Sequence, residues 1–180
     1  MLVIGVVVAL VVVLALYAVV TFNKLVKQRN QVADAWSGID VQLTRRADLV
    51  PNLVETVKGY KLHEQETLER VIAARTGARG AAQAGDAEEK VSQAVGSLLA
   101  VAEDYPDLKA NANFQQLQTE LATLEEEISF ARRYYNGTVR NYNTAQQQFP
   151  TLVFAKPLGF REAEYFQADL DAKAVPSAQF

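Results

Sequence analysis

The hydrophobic pattern divides the chain into one uninterrupted apolar run followed by a long region with helical periodicity. Residues 1–22, MLVIGVVVALVVVLALYAVVTF, hold 20 apolar residues, one Gly, one Thr and no charge. As a helix this run is roughly 33 Å long, close to the ~30 Å hydrocarbon core of a bilayer. A cleaved signal peptide would have a basic start and a shorter apolar stretch. The run therefore predicts a retained, single transmembrane anchor.

Residues 23–150 carry apolar positions at alternating spacings of three and four, which predicts an antiparallel bundle of long helices with coiled-coil-type packing. We call such an apolar stripe a seam. Pro51 falls inside the first seam and predicts a kink near residues 47–51 rather than a helix end. The residues of that first seam are Trp36, Ile39, Leu43, Arg46, Val50, Leu53, Val57 and Tyr60.

A stretch rich in Gly and Ala, TGARGAAQAGD, interrupts the periodicity and predicts the loop that connects two helices. It contains Gly77, Gly80 and Gly85. Asp86 is the expected N-cap of the next helix, and Glu88 and its neighbour Glu89 would favour the positive end of that helix. Pro106 is expected to stop it.

The last helix has the most regular pattern, with three–four alternation from Phe114 to Phe149. Pro150 is expected to end it. Residues 151–180 then lose helical spacing, which predicts an irregular tail that packs on the bundle or on a neighbouring subunit. No run with strand periodicity is present in the sequence, so the predicted fold class is all-α.

The composition limits which ligands and which catalytic groups the chain can use. A formal net charge of −3 and the lack of a long basic run provide no electrostatic case for nucleic acid. The chain has no Cys and one His, His63, so thiolate metal sites and most catalytic triads are excluded. His63 begins a HExxT string, but the second His of a zincin motif is missing. We expect no enzyme activity, no metal and no cofactor.

Arg46 occupies a seam position that the pattern otherwise reserves for apolar side chains. A buried guanidinium must meet a carboxylate or extend to water, because an unpaired buried charge costs several kcal/mol. Candidate partners are Glu125 and Glu126 on the last helix, or Asp40 and Asp48 on the same helix as Arg46. The favoured hypothesis is a packing and register device, and the alternative is a contact with a lipid phosphate or an anionic ligand.

A doubled Tyr-Asn pair lies in the last helix. Tyr135 and Asn136 precede Tyr142 and Asn143 by seven residues, so two helical turns place both pairs on one face. Asn is a mediocre helix former, which argues for a role of its side chain. We expect an internal hydrogen-bond network that also includes Asn52, beside Pro51, and the alternative is a ligand site.

Three segments resemble the LemA family: RNQVADAWSGIDVQLTRRADLVPNLVETVKGYKLHE, YPDLKANANFQQLQTELATLEEEISFARRYYNGTVRNYN, and the FP that follows. The resemblance implies an all-helical bundle in the bacterial cytoplasmic membrane, with no established reaction. A magnetosome membrane protein belongs to that family, and members are often encoded near membrane proteases. Both facts imply a role in membrane organisation.

The leading functional hypothesis is a non-enzymatic, membrane-anchored protein that forms a homo-oligomer and organises or shapes the membrane, with lipids and itself as partners. The alternative is an adaptor for a membrane protease or transporter. A third and weaker hypothesis is hydrolysis by the paired carboxylates Glu125 and Glu126. Lys24, Lys27 and Arg29 follow the span, which predicts a cytoplasmic bundle on the inner membrane.

Overall fold

Helices make up most of the part of the chain that the structure describes. The computed structural model describes residues 1–59 and 81–166, and no strand occurs in these two ranges. The prediction of an all-α fold is therefore confirmed. The helices of the described residues are α1 (Leu2–Lys58), α2 (Ala81–Ala102), α3 (Pro106–Lys109), α4 (Ala112–Gln147) and α5 (Thr151–Ala155).

Helix α1 passes without a break from the apolar run into the seam. Pro51 lies inside it, so the expectation that this proline does not end the helix is confirmed. Nearly all of the apolar run is exposed on the surface of the protein, because its most hydrophobic 18 consecutive residues are not buried by any other part of the chain. Beyond this window, buried positions recur at helical spacing: Thr21, Leu25, Val32, Ala35, Ile39, Arg46, Val50, Leu53 and Val57.

The helices belong to two compact units. The first comprises Met1–Ser37 and Tyr134–Glu164. Within it α1 packs against the C-terminal part of α4 in antiparallel fashion. The Trp36 and Tyr135 rings meet edge to face with centroids 5.7 Å apart. Arg29 precedes Trp36 by seven residues, and Tyr142 follows Tyr135 by seven. These two residues also lie near each other, because Arg29 influences the pKa of Tyr142.

The chain turns sharply at the end of α4. The helix ends at Gln147, two residues before Phe149, so the expectation that Phe149 closes the seam is wrong and its side chain is 84% exposed. Pro150 is the N-cap of the short helix α5. Gly159 then adopts φ +82°, a conformation that only Gly takes at little cost, and residues 160–166 form neither helix nor strand.

The second unit comprises Gly38–Arg133 and the chain from Tyr165 onward. Arg46 of α1 is bonded to Glu88 and Ser92 of α2, and the residues that follow on both helices share one core. These contacts indicate that α1 and α2 run in the same direction here. The buried core residues are Val50, Leu53, Val54, Val57, Val95, Leu98, Ala102, Leu108, Phe114 and Leu121.

The start of α2 corrects one prediction. Helix α2 begins at Ala81, so Gly85 lies inside a helix rather than in a loop, and Asp86 is not its N-cap. The Ala residues of AAQAGD favour a helix enough to offset one Gly, which costs about 1 kcal/mol relative to Ala. The positions of His63, Gly77 and Gly80 lie outside the described residues.

Candidate functional site

Arg46 forms the centre of a charged cluster inside the second unit. Its side chain is only 5% exposed. Its Nη1 donates to Glu88 Oε1 and to Ser92 Oγ, the latter at 3.1 Å, and it lies 2.8 Å from Glu125 Oε2. One guanidinium nitrogen therefore joins α1, α2 and α4. Among the described residues, Arg46 Nε has no hydrogen-bond partner.

The two carboxylates of this cluster differ in environment. The Glu88 side chain is 5% exposed, whereas that of Glu125 is 48% exposed. Burial raises the pKa of the Glu88 carboxyl, Arg46 opposes that rise, and Glu125 adds to it. A buried ion pair is by itself weak evidence for net stability, because the removal of both charges from water costs free energy that their attraction must offset. The contacts of Arg46 connect α1 with α2 and α4.

The pH dependence of stability follows from Glu88. Because its pKa is raised, the folded state keeps the proton over a pH range in which the unfolded state has lost it. Glu88 therefore supports folding below this range, and that support is lost as the pH rises through the folded pKa. We expect the free energy of unfolding of the unaltered chain, minus that of Glu88→Gln, to fall with rising pH above the usual carboxyl range.

Urea unfolding followed by circular dichroism at a series of pH values measures this difference. The control is Glu89→Gln, which removes a carboxylate at the exposed neighbouring position. That control protein should retain the pH dependence that Glu88→Gln abolishes. If the free energy of unfolding of the unaltered chain minus that of Glu88→Gln instead rises with pH, the raised pKa of the buried Glu88 carboxyl is contradicted.

Two other expected site residues lie near the cluster in sequence but have different surroundings. Pro51 is half-buried in α1, and Asn52 is exposed. The Asn52 backbone carbonyl accepts a 2.8 Å hydrogen bond from the Thr56 hydroxyl. This bond occupies a carbonyl in the turn that follows the proline. The Glu126 side chain is exposed, and Glu125 is bound to Arg46.

A second polar arrangement lies in the first unit, where side chains of α4 bond the backbone of residues 161–164. Asn143 Nδ2 donates to the Ala163 carbonyl and Asn143 Oδ1 accepts from the Ala163 N–H, both at 2.9 Å. Gln146 Nε2 donates to the Arg161 carbonyl at 3.3 Å. We call these contacts, with that of Tyr135 below, the clasp. The Asn143 side-chain amide thus bonds both the N–H and the carbonyl of Ala163, as a neighbouring backbone strand would.

The tyrosines of the doubled pair are both buried. The Tyr135 hydroxyl donates to the Glu164 carbonyl at 2.8 Å. Burial raises its pKa, and the nearby Glu164 charge adds to the rise. Burial also raises the pKa of Tyr142, against the effect of Arg29. Both hydroxyls therefore stay protonated at neutral pH, and Asn136 lies half-buried between them in sequence.

Replacing Tyr135 by Phe tests the first of these contacts. Tyr135→Phe removes the hydroxyl and keeps the ring against Trp36. We expect a loss of about 1 kcal/mol in the free energy of unfolding, the usual net contribution of one hydrogen bond. Tyr134→Phe is the matched control, because Tyr134 is 60% exposed. An equal effect of the two substitutions would contradict a specific contribution of the Tyr135 hydroxyl.

Sequence reasoning missed Glu88 and Gln146. Glu88 was assigned to the helix N-terminus, yet it follows Ala84 by four residues and precedes Val95 by seven, so it is a seam position of α2. A charge on one seam facing an opposite charge on another was the available signal. Gln146 offered none, because its partner lies in a segment without periodicity. Within residues 1–59 and 81–166, no group of three or more metal-ligating side chains comes together.

Known proteins are similar in sequence to part or most of this chain. The model of the LemA family matches residues 35–180. Protein LemA of Metamycoplasma hominis is 28% identical over 81% of this chain and 68% of its own length. Magnetosome protein MamQ of Magnetospirillum gryphiswaldense is 26% identical over 86% of this chain and 69% of its own length. For magnetosome protein MamQ 2 of Paramagnetospirillum magneticum, the identity is 35% over 41% of this chain and 27% of that protein.

Proposed function

This chain belongs to the LemA family, and we propose on that premise that it is a non-enzymatic, membrane-anchored protein. In this proposal it self-associates into a homo-oligomer and organises the bacterial cytoplasmic membrane around the assembly. The bundle lies on the cytoplasmic side, where the basic residues Lys24, Lys27 and Arg29 favour it.

The exposed apolar run is the observation that carries the proposal. A core helix of similar hydropathy would be buried by the protein, whereas the apolar window of α1 is not buried at all. Removing a large aliphatic side chain from water is worth about 1.5–3 kcal/mol, so a run of this length strongly favours lipid. The helix that contains this run continues to Lys58, so the apolar run is covalently and helically continuous with the first helix of the bundle.

The polar interior supports a structural role. In the part of the chain that the structure describes, the buried charges of Arg46 and Glu88 are bonded to each other. Asn143 and Tyr135 are engaged by the backbone of the segment that follows α5. These groups are used for contacts within the chain. The names of two relatives as magnetosome proteins agree with a role in organising membrane.

Self-association is best tested within the span. Gly5 and Ala9 lie one turn apart, a spacing of small residues that lets two helices approach closely in lipid. A Cβ at Gly5 meets nothing within 4 Å in the single chain. We expect Gly5→Leu to keep the fold and to lower the oligomer population of the full chain in nanodiscs. Measuring particle mass gives the oligomer number directly.

Ala15→Leu is the matched control, since it adds a similar side chain to an exposed position on another face of the span. It should leave the oligomer unchanged. A monomeric chain that co-purifies with a second membrane protein in fixed stoichiometry would contradict self-assembly. That result would instead support an adaptor of a membrane protease or transporter.

A further inference from the structure

The segment after α4 exposes an unusual amount of apolar surface. Phe149 is 84% exposed, Val153 58%, Leu152 47% and Leu158 42%. They fall within ten residues, 149–158, that include the short helix α5. Exposed apolar side chains this close together in sequence indicate a surface that contacts another protein or a membrane.

Two ring contacts place this segment beside the end of the apolar run. The Phe154 and Tyr17 rings have centroids 5.9 Å apart, and those of Phe160 and Phe22 lie 5.5 Å apart. As the chain advances from Phe154 to Phe160, its partner on α1 advances from Tyr17 to Phe22. The segment therefore runs alongside the last turns of the apolar run.

The depth of this position matches the membrane interface. Tyr17 lies five residues before Phe22, the last residue of the apolar run, and five residues of helix rise about 7.5 Å. Amphipathic interfacial elements lie about 5–10 Å into the boundary between headgroups and acyl chains. A segment packed beside Tyr17 is therefore at the level of this boundary when the run spans the bilayer.

Charge around the segment agrees with an anionic membrane surface. Residues 149–158 contain one basic side chain, Lys156, which is exposed, and no acidic one. Arg161 and Glu162 follow and are both exposed, and the Glu162 carboxylate accepts a hydrogen bond from Gln147. Arg29 lies with its guanidinium carbon 5.8 Å from the Phe160 ring centroid, on the polar side of the run. An exposed apolar segment with cations near the polar end of the span is an arrangement that an anionic lipid interface accommodates.

We propose that residues 149–158 form a second membrane contact, which inserts Phe149, Leu152, Val153 and Leu158 into the leaflet that the C-terminal end of the span enters. The occupant of this apolar surface is the lipid bilayer, with anionic headgroups around Lys156. The inference rests on the membrane anchorage proposed above and adds a contact that fixes the end of α4 against the membrane.

Depth-dependent quenching tests this proposal on the full chain. Because the chain has no Cys, single cysteines can be introduced at Val153, at Val13 within the span, and at Asp34, which lies twelve residues after Phe22. Each is labelled with an environment-sensitive fluorophore and reconstituted in vesicles of phosphatidylcholine and phosphatidylglycerol. Lipids with a nitroxide at a shallow or a deep acyl position act as quenchers.

We expect the Val153→Cys label to be quenched more by the shallow nitroxide than by the deep one. The Val13→Cys label should show the reverse order, and the Asp34→Cys label should resist both. In the Val153→Cys background, Leu152→Asp should reduce the shallow quenching. These four results together support a second membrane contact at interfacial depth.

The outcomes separate this inference from the anchorage it rests on. Quenching at Val13 with none at Val153 overturns the second contact and leaves the span in place; the apolar surface then belongs to a protein partner. Absence of quenching at Val13 overturns both proposals. Deep quenching at Val153 equal to that at Val13 would also contradict an interfacial position.

Discussion

Replacing Arg46 by Ala should lower the free energy of unfolding by about 3–5 kcal/mol, because it leaves Glu88 buried without its counterion. The Glu88 side chain is 5% exposed and cannot reach water without a movement of α2. Urea unfolding of the full chain in detergent, followed by circular dichroism, measures the loss. Arg45→Ala is the matched control, since the Arg45 side chain is 63% exposed and lies 3.8 Å from Glu127. An exposed pair of this kind contributes about 0–1 kcal/mol.

The loss should itself depend on pH. Arg46 lowers the pKa of Glu88, so its removal raises that pKa further. At a pH low enough to protonate Glu88 the remaining carboxyl is neutral, and Arg46→Ala should be less destabilising than at neutral pH. Equal losses at the two pH values would contradict a stranded carboxylate as the cause.

Apolar replacement separates a register role from a ligand role. Arg46→Met combined with Glu88→Leu should recover most of the stability that Arg46→Ala loses, since replacing a buried ion pair by apolar side chains is often neutral or stabilising. A double-mutant cycle should give a larger coupling for Arg46 with Glu88 than for Arg46 with Glu125, whose side chain is 48% exposed. If Arg46 instead binds a lipid phosphate, the double variant should be stable and fail in membrane-dependent function.

Replacing Asn143 by Ala should cost about 1–3 kcal/mol, because it removes the partners of both the Ala163 N–H and the Ala163 carbonyl. Each hydrogen bond contributes about 0.5–1.5 kcal/mol net, and two are lost here. The Asn143 side chain is buried, and its two hydrogen bonds to Ala163 are both 2.9 Å. Hydrogen exchange at the Ala163 amide reports the contact directly and should become faster.

Two further variants define this effect. Asn143→Asp keeps the acceptor for the Ala163 N–H but directs a second carboxylate oxygen at the Ala163 carbonyl, so it should destabilise as well. Asn141→Ala is the control at an exposed position of the same helix. Faster exchange at Ala163 in Asn141→Ala, or unchanged exchange in Asn143→Ala, would contradict the clasp as the element that holds residues 161–164.

Comparison of α2 with α4 shows where local pattern suffices for the fold. In α4, regular three–four spacing and Pro150 were enough to predict a long helix and its end, although the last turn stops short of Phe149. In α2, Gly85 and Asp86 imitate a loop and a cap, and the helix nevertheless includes both. Packing adds there to the helix propensity of the Ala residues, because Ala84 and Glu88 are buried at the interior face of the helix.

Sequence patterns were enough to predict the properties that depend on neighbours along the chain: the apolar run, the helical class, the continuity through Pro51 and the unusual position of Arg46 on a seam. These follow from periodicity and side-chain chemistry, which act locally. The contact partners of these side chains depend on how the helices pack. Glu88 meets Arg46, Asn143 binds Ala163, and Phe154 reaches Tyr17 because the relative offset of the helices and the path after Gly159 bring distant residues together. Such offsets arise from the sum of many packing contacts, which no single segment specifies.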